Sequence, residues 1–375
     1  MKSRAIALIA LTASASSAHA LDRSGQPANI LFETGNVVEF SLGYANPSID
    51  GTDFATGAKI GNVADSFWVW GGGIKYDINE QWSVALTVDQ PYGTEVNYPG
   101  DPQFTSLGGT TAIADSYAIT AWARYRFNDN WSVHGGLKYQ EISADIGLGG
   151  GAYGPLNGYN ASFAAGGEFG YVVGAAYEIP DIALRVSLTY HSEITHDLKT
   201  VETGVPLLGT VKSKTEIVAP EAINLDFQTG IAEDTLLFGS VRYAKYSDTI
   251  ISPVGFDTVV GPGSDNDSLT DIDNLTDIRI GIGRRFNEQW SGSIALGHQS
   301  KGEDKLVSPL APVNGAKYVV LGAKYDVNER FAISGGVRYT RFGEAFPETG
   351  TPDTARAEFK DNSALSVGVK LTYRF

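Results

Sequence analysis

Four histidines follow residue 20, at His134, His191, His196 and His298, and they are the first candidates for acid–base or metal chemistry. No serine, histidine and acidic residue fall at a spacing that would build a nucleophilic triad. His191 and His196 are five apart, which on a strand puts them on opposite faces and removes them as a two-histidine metal pair. Cysteine is absent, excluding thiolate chemistry and any disulfide framework. The acidic stretch Asp265-Asn266-Asp267 with Asp271 and Asp273 hints at a Ca²⁺ loop. Leu269, however, stands where an oxygen ligand is needed, and the glycine and distal glutamate of such a loop are missing, so a solvated surface loop is the better account. No catalytic residue, cofactor or metal site is expected.

A more regular set is basic: Lys75, Arg124, Arg126, Lys138, Arg185, Arg279, Lys324 and Arg338, each at a polar position of an alternating segment. On one shared face they could steer an anionic group, or pair with carboxylates such as Asp77 and Asp326. A third group is conformational. Pro91 cannot donate to a ladder and Gly93 permits irregular backbone, so strand pairing should fail around Asp89, Gln90, Pro91, Tyr92 and Gly93. Pro220 interrupts an otherwise strand-like stretch from Lys212 to Ile231, where a bulge is expected.

These residues are held by strands. In the last segment Leu365, Val367, Val369, Leu371, Tyr373 and Phe375 alternate with Ser366, Gly368, Lys370, Thr372 and Arg374. The same period of two runs through Leu184–His191 and Trp131–Gln140. A short phrase recurs between such segments, at Asn79-Glu80-Gln81-Trp82, Asn128-Asp129-Asn130-Trp131, Asn287-Glu288-Gln289-Trp290 and Asn328-Glu329-Arg330-Phe331. Variants at Ile179-Pro180-Asp181 and Ala232-Glu233-Asp234 make six tight turns. Six turns join twelve strands, and one more stands at each end, giving fourteen. Longer connections, rich in Gly, Pro, Asp and Ser, fall near residues 47–65, 93–111, 146–165, 200–210, 251–273, 302–313 and 343–359.

Short turns at one rim, long loops at the other and an even strand count describe an all-β, 14-stranded antiparallel transmembrane β-barrel. Hydrocarbon offers backbone N–H and C=O groups no partner, so such a sheet must close. Trp82, Tyr125, Phe127, Trp131, Tyr177, Trp290, Tyr325, Phe331 and Phe375 cluster by the short turns, as an interfacial aromatic girdle would.

The first twenty residues set the compartment. Lys2 and Arg4, an apolar run from Ala5 to Leu11, and Ala18-His19-Ala20 have the three parts of a secretory signal, so residues 1–20 should be removed and the mature chain begin at Leu21. Loss of two basic residues takes the formal net charge from −15 to about −17 before counting termini, which argues against nucleic acid as a partner. Residues 21–35 would precede the first strand and 36–375 would form the barrel.

With the strands placed, phrases across nearly the whole mature chain resemble the FadL family of outer-membrane transporters for long-chain fatty acids and aromatic hydrocarbons. They are Gln26-Pro27-Ala28, Gln90-Pro91-Tyr92-Gly93, Tyr190-His191-Ser192-Glu193 leading to Asp197-Leu198-Lys199, and Ala219-Pro220-Glu221. The resemblance implies fourteen strands with a short N-terminal plug segment, residues 21–35, inside the lumen, and a kink in the third strand that opens the wall sideways, so that a hydrophobic solute leaves into the membrane. It places Arg23, Gln26, Pro27 and Ala28 with Asp89–Gly93 on the substrate path. The chain departs from the family in its short plug, and in reading Glu141-Ile142-Ser143-Ala144-Asp145 where a carboxylate-binding arginine would stand. A neutral hydrocarbon thus competes with a fatty acid as substrate. Ending on Phe375 two residues after Tyr373 resembles the signal read by the barrel-assembly machinery. A monomer among outer-membrane lipids is expected. The rival functions are a general porin for hydrophilic solutes and a structural or adhesion barrel.

Overall fold

Each recurrent turn is shaped by its asparagine. The Asn79 Oδ1 accepts the N–H groups of Gln81 (2.9 Å) and Trp82 (2.8 Å), and Asn128, Asn287 and Asn328 repeat the pattern at 2.8–2.9 Å. Such an Asx turn reverses the chain in four residues and presents the following aromatic to the rim.

The computed structural model describes residues 21–261, 268–350 and 352–375. The leader expected at residues 1–20 and Asp265–Asp267 of the acidic loop lie outside them. Fourteen strands follow the turns: β1 Val37–Ser48, β2 Phe67–Asp77, β3 in two parts (Trp82–Asp89 and Gly93–Asn97), β4 Thr111–Arg126, β5 Trp131–Leu148, β6 Tyr159–Ile179 and β7 in two parts (Leu184–His191 and Ile194–Val205). The rest are β8 in two parts (Gly209–Ala219 and Ala222–Ala232), β9 Thr235–Ala244, β10 Leu275–Arg285, β11 Trp290–Gln299, β12 Ala316–Asp326, β13 Phe331–Phe342 and β14 Ser363–Arg374. Each pairs antiparallel with the next, and Val37–Ser48 pairs with Ser363–Arg374 to close the cylinder.

Burial along the strands is the reverse of a soluble sheet. Lys75 is 0% exposed and Arg124 1%, whereas Leu137 is 67% exposed and the outer face of β14 (Leu365, Val367, Val369, Leu371, Tyr373) is exposed throughout. An apolar exterior around a charged interior is stable only when lipid covers the outside. At the short-turn rim the girdle aromatics sit directly opposite one another across the ladder: Trp82 with Tyr125, Trp131 with Tyr177, and Trp290 with Tyr325, each pair with ring centroids 4.8 Å apart.

The inversion ends where β7 and β8 are broken together, at Ser192-Glu193 and Pro220-Glu221. Below the break Val186 and Leu188 face outward. Above it Ile194, Leu198 and Ile217 are buried, while Lys214 and Asp197 pair on the outside at 2.7 Å. The apolar face turns from lipid to protein at this level, so the upper half of this hairpin behaves as soluble sheet. Two expectations change as a result. The irregular backbone at the break resets the side-chain phase by one residue, with consecutive His191 and Ser192 both buried, so His191 and His196 both point inward instead of to opposite faces. The connection expected over 200–210 shrinks to a turn at Pro206–Leu208, because alternation lets 194–205 and 209–219 pair to their ends, with Leu207 at φ 66°. Likewise β5 and β6 run into the 146–165 region and leave only residues 149–158 between them. No group of three potential metal ligands occurs among the described residues.

Above the membrane band the loops and strand tops pack into one apolar core that includes Tyr98, Leu107, Tyr159, Phe163, Phe256 and Phe359. The helix Val254–Val260 is fastened to it by Glu202, whose carboxylate accepts the N–H groups of Gly255 (2.9 Å) and Phe256 (2.8 Å) and the Tyr159 hydroxyl (2.9 Å).

Candidate functional site

The segment from Leu21 to Asn36 runs through the lumen, bound to it residue by residue. Asp22 pairs with Arg242 at 2.6 Å. Arg23 reaches Glu95 (3.4 Å) and Asp115 (3.3 Å) and lies over the Phe67 ring at 4.5 Å. Ser24 donates to Asp89, and Gln26 bonds Lys138 on one side and the Tyr92 hydroxyl (2.8 Å) on the other. Asn224 donates to the carbonyls of Gly25 (2.9 Å) and Gln26 (3.2 Å). Ala28, Ile30 and Leu31 then pack on Ala85, Trp122 and Val172, while Pro27 faces an internal cavity. Nearer the short-turn rim Phe32 is held between the Arg124 and Arg185 guanidinium groups at 4.4 and 4.6 Å. Lys75 donates to the carbonyls of Glu33 (2.8 Å) and Gly35 (3.0 Å) and pairs with Asp77 at 2.6 Å.

Beside this plug the wall is open. Pairing of β2 with β3 ends at Gly72 opposite Val88, and Phe67–Gly71 have no backbone partner on β3. The ladder resumes higher up, where Asp65 N–H donates to Glu95 O (3.0 Å) and Asn97 N–H to Val63 O (2.8 Å). Between these levels is a window whose edges are bridged by the Gln90 side chain, accepting from Trp70 N–H at 2.9 Å. Pro91 has no N–H to give, and its carbonyl turns inward to accept from Arg23 N–H (2.9 Å). Gly93 N–H donates to Leu21 O (3.0 Å), so the plug makes a single antiparallel bridge, Asp22 opposite Tyr92, where β2 is missing. A Cβ on Gly93 would occupy the space of the Arg23 guanidinium, which lies against this backbone because the residue is glycine. Tyr92 is thrown across the lumen, its hydroxyl on Pro220 O (3.3 Å) and its ring 6.1 Å from that of Tyr246.

Behind the window lies a cavity of about 220 Å³. The window strands line it through Val69, Trp70, Gly71, Thr87, Val88 and Asp89. The plug and the inner faces of most other strands, β9–β13 among them, complete it.

The structure sorts the basic residues expected on the inner face into groups. Lys75, Arg124 and Arg185 hold the plug at the short-turn rim, where Lys324 pairs with Asp326 at 2.9 Å and the Arg126 amide donates to Gln81 O. Lys138 sits deeper, 3.0 Å from His191. Arg279 and Arg338 line the cavity with Arg242, Gln299 and Tyr318, three residues that the sequence reading passed over. Parity could have found Arg242, but Leu236 and Phe238 also face inward on β9 and blur its alternation.

A closed barrel with a tethered N-terminal plug and a broken third strand is a specific combination. The chain matches the family described as outer membrane protein transport protein (OMPP1/FadL/TodX) over residues 4–340. It belongs to that family. Similar solved structures include a Pseudomonas aeruginosa FadL homologue, at 15% identity over 93% of this chain and 92% of the other, with a TM-score of 0.73. The Pseudomonas putida toluene transporter TodX aligns at 12% identity over 97% of both chains, TM-score 0.65. The Ralstonia pickettii toluene transporter TbuX aligns at 12% identity over 92% and 90%, TM-score 0.62. At these identities the likeness concerns the fold. No curated protein sequence matches the chain.

Proposed function

We propose that this FadL/TodX family member carries hydrophobic solutes passively across the outer membrane and releases them sideways between β2 and β3. The observation that carries this reading is the window itself. It is bounded above and below by resumed pairing, is backed by the plug, and has the cavity directly behind it. A solute desolvated in the apolar loop core would enter the cavity and exit through a wall that has no ladder to break, never crossing the charged rim at Lys75, Arg124 and Arg185. The likeness to the toluene transporters TodX and TbuX favours a small aromatic solute. In this reading residues 1–20 are cleaved on export, the barrel-assembly machinery inserts the chain, and it works as a monomer among outer-membrane lipids.

The absence of cysteine allows a direct test. A Cβ placed on Gly71 would lie 3.7 Å from the Asp89 Cβ, a separation suited to a disulfide, usually about 3.8 Å. The double variant Gly71→Cys/Asp89→Cys should lose uptake of toluene into proteoliposomes when oxidised and regain it on reduction. Equal uptake in both states would refute the sideways exit.

A further inference from the structure

We propose that the outward face of β11–β13 binds a phosphate group of an outer-leaflet glycolipid through a cross-strand row formed by His298, Lys317 and Arg341. The site lies on the outside of the barrel, away from the window, and does not depend on which solute the lumen carries.

The ladder fixes the row. His298 stands directly opposite Lys317, and Lys317 directly opposite Arg341. All three are exposed on the outer face. Side chains so paired leave the sheet about 5 Å apart, and like charges in that position repel. Lys317, at the centre, forms no ion pair or hydrogen bond among the described residues. Arg341 gives one nitrogen to Asp361 (2.6 Å) yet remains 66% exposed, with most of its five donors open. A second like-charged pair shows how the sheet otherwise relieves this conflict. Lys199 faces Lys214 on the outer side of the β7–β8 hairpin, but Asp197 and Glu216 lie one step along the same face, and Asp197 holds Lys214 at 2.7 Å. Beneath the His298–Lys317–Arg341 row the neighbours are Leu296, Val319 and Tyr339, opposite one another across the same strands, and none carries charge.

Position along the membrane normal selects the ligand. His298 and Lys317 pair eight residues from Trp290 and Tyr325, the girdle pair at the short-turn rim. At about 3.3 Å per residue and a tilt of about 40°, that separation spans roughly 20 Å of an apolar band about 25 Å tall. The row therefore stands near the upper edge of the lipid, on the loop side, directly above the exposed Leu296, Leu321 and Tyr339. A ligand that fills both levels carries acyl chains below and an anionic head above. A phosphate monoester supplies close to two negative charges and three acceptor oxygens, enough to bridge Lys317 and Arg341 and to take a ring N–H from His298.

The surrounding charge agrees. In a chain with 28 basic and 43 acidic residues the balance reverses here: Lys301, Lys305, Lys317, Arg341 and Lys360 meet Glu344, Glu358 and Asp361. Each of these acids is already held, Glu344 by Lys305 (2.5 Å), Glu358 by Lys360 (2.9 Å) and Asp361 by Arg341. The Lys301 stem crosses Gly315 and Gly343, whose missing Cβ atoms let it lie on the sheet just above Lys317 and Arg341. Glu303 and Asp304, in the same connection, stand beside Asp273 instead.

The test is native mass spectrometry of the full mature barrel released from detergent. Its probes are lipid A, a phosphorylated and acylated disaccharide, and the same lipid stripped of its phosphates. Lipid A should bind at least about tenfold tighter than the stripped form, and Lys317→Gln/Arg341→Gln should remove that preference. Lys199→Gln/Lys214→Gln, which removes the same charge elsewhere on the outer face, should keep it. Excess inorganic phosphate should not displace the lipid, because it cannot use the apolar residues below the row. Heat-modifiable mobility on gels verifies that each variant is folded, and the comparison of the two lipids on the unaltered protein needs no variant. Equal binding of the two lipids, a preference retained by the folded Lys317/Arg341 variant, or an equal loss in the Lys199/Lys214 variant overturns the proposal. Displacement by inorganic phosphate would also overturn it, by reducing the site to one for a free anion.

Discussion

Replacing Gly93 by valine should loosen the plug while leaving the barrel intact. The added side chain would occupy the space of the Arg23 guanidinium, which must then leave Glu95, Asp115 and the Phe67 ring. Both carboxylates are partly open to solvent, so each ion pair contributes only about 0.5 kcal/mol. The cation–π contact adds about 1 kcal/mol. A loss of roughly 2 kcal/mol in docking raises the population of displaced plug about thirtyfold. The two backbone bonds at Pro91 and Gly93 and the Asp22–Arg242 pair would still tether the segment, so the change is a shift in population and not release. Hydrogen exchange of the Arg23 amide, which donates to Pro91 O, reports this population directly, with barrel amides as the internal reference. Protection at Arg23 unchanged within a factor of three, in a protein whose barrel exchange is also unchanged, would refute the account of Gly93 as the seat of the Arg23 crossing.

Other outcomes follow from the same geometry. Because the plug crosses the lumen, liposomes containing the protein should not swell in isosmotic sugars; rapid swelling would favour a general porin. Asn128→Ala should remove two Asx-turn bonds and cost about 1–2 kcal/mol, seen as a lower urea midpoint, and Asn287→Ala should do the same at its own turn. Glu202→Ala leaves the Gly255 and Phe256 amides without their acceptor, so exchange at those amides should accelerate at least tenfold while the girdle strands stay protected. In the extracellular loops Glu348 is pushed up to about 7 by burial and then by Asp353 and Asp271. A carboxyl raised in the folded state favours folding when protonated, so this contribution is full below the ordinary glutamate range and is lost as pH rises toward 7. An NMR titration of Glu348 should show a midpoint near neutrality, lowered by Asp271→Asn; a midpoint in the usual glutamate range would exclude it.

Sequence alone determined the cylinder. A period of two with apolar and charged faces, six short turns, five of them marked by asparagine or proline, and aromatics gathered at one rim leave a closed membrane barrel of fourteen strands as the arrangement that satisfies every backbone group in lipid. Those signals are local, which is why they can be read along the chain. Pro91 and Gly93 also marked the weak point in the third strand, since the lack of an N–H and of a Cβ are properties of single residues. Tertiary structure decided what local periodicity does not carry. Where the two-residue break at Ser192-Glu193 shifts side-chain phase, His196 turns inward and the sheet leaves the membrane, and a fixed alternation misses both. The plug's partners lie tens to hundreds of residues away: Arg23 on Asp115, Asp22 on Arg242, Asn224 on Gly25. The cavity likewise exists only once the sheet has closed, because curvature brings strands far apart in the sheet, such as those of Val69 and Leu275, to face one space.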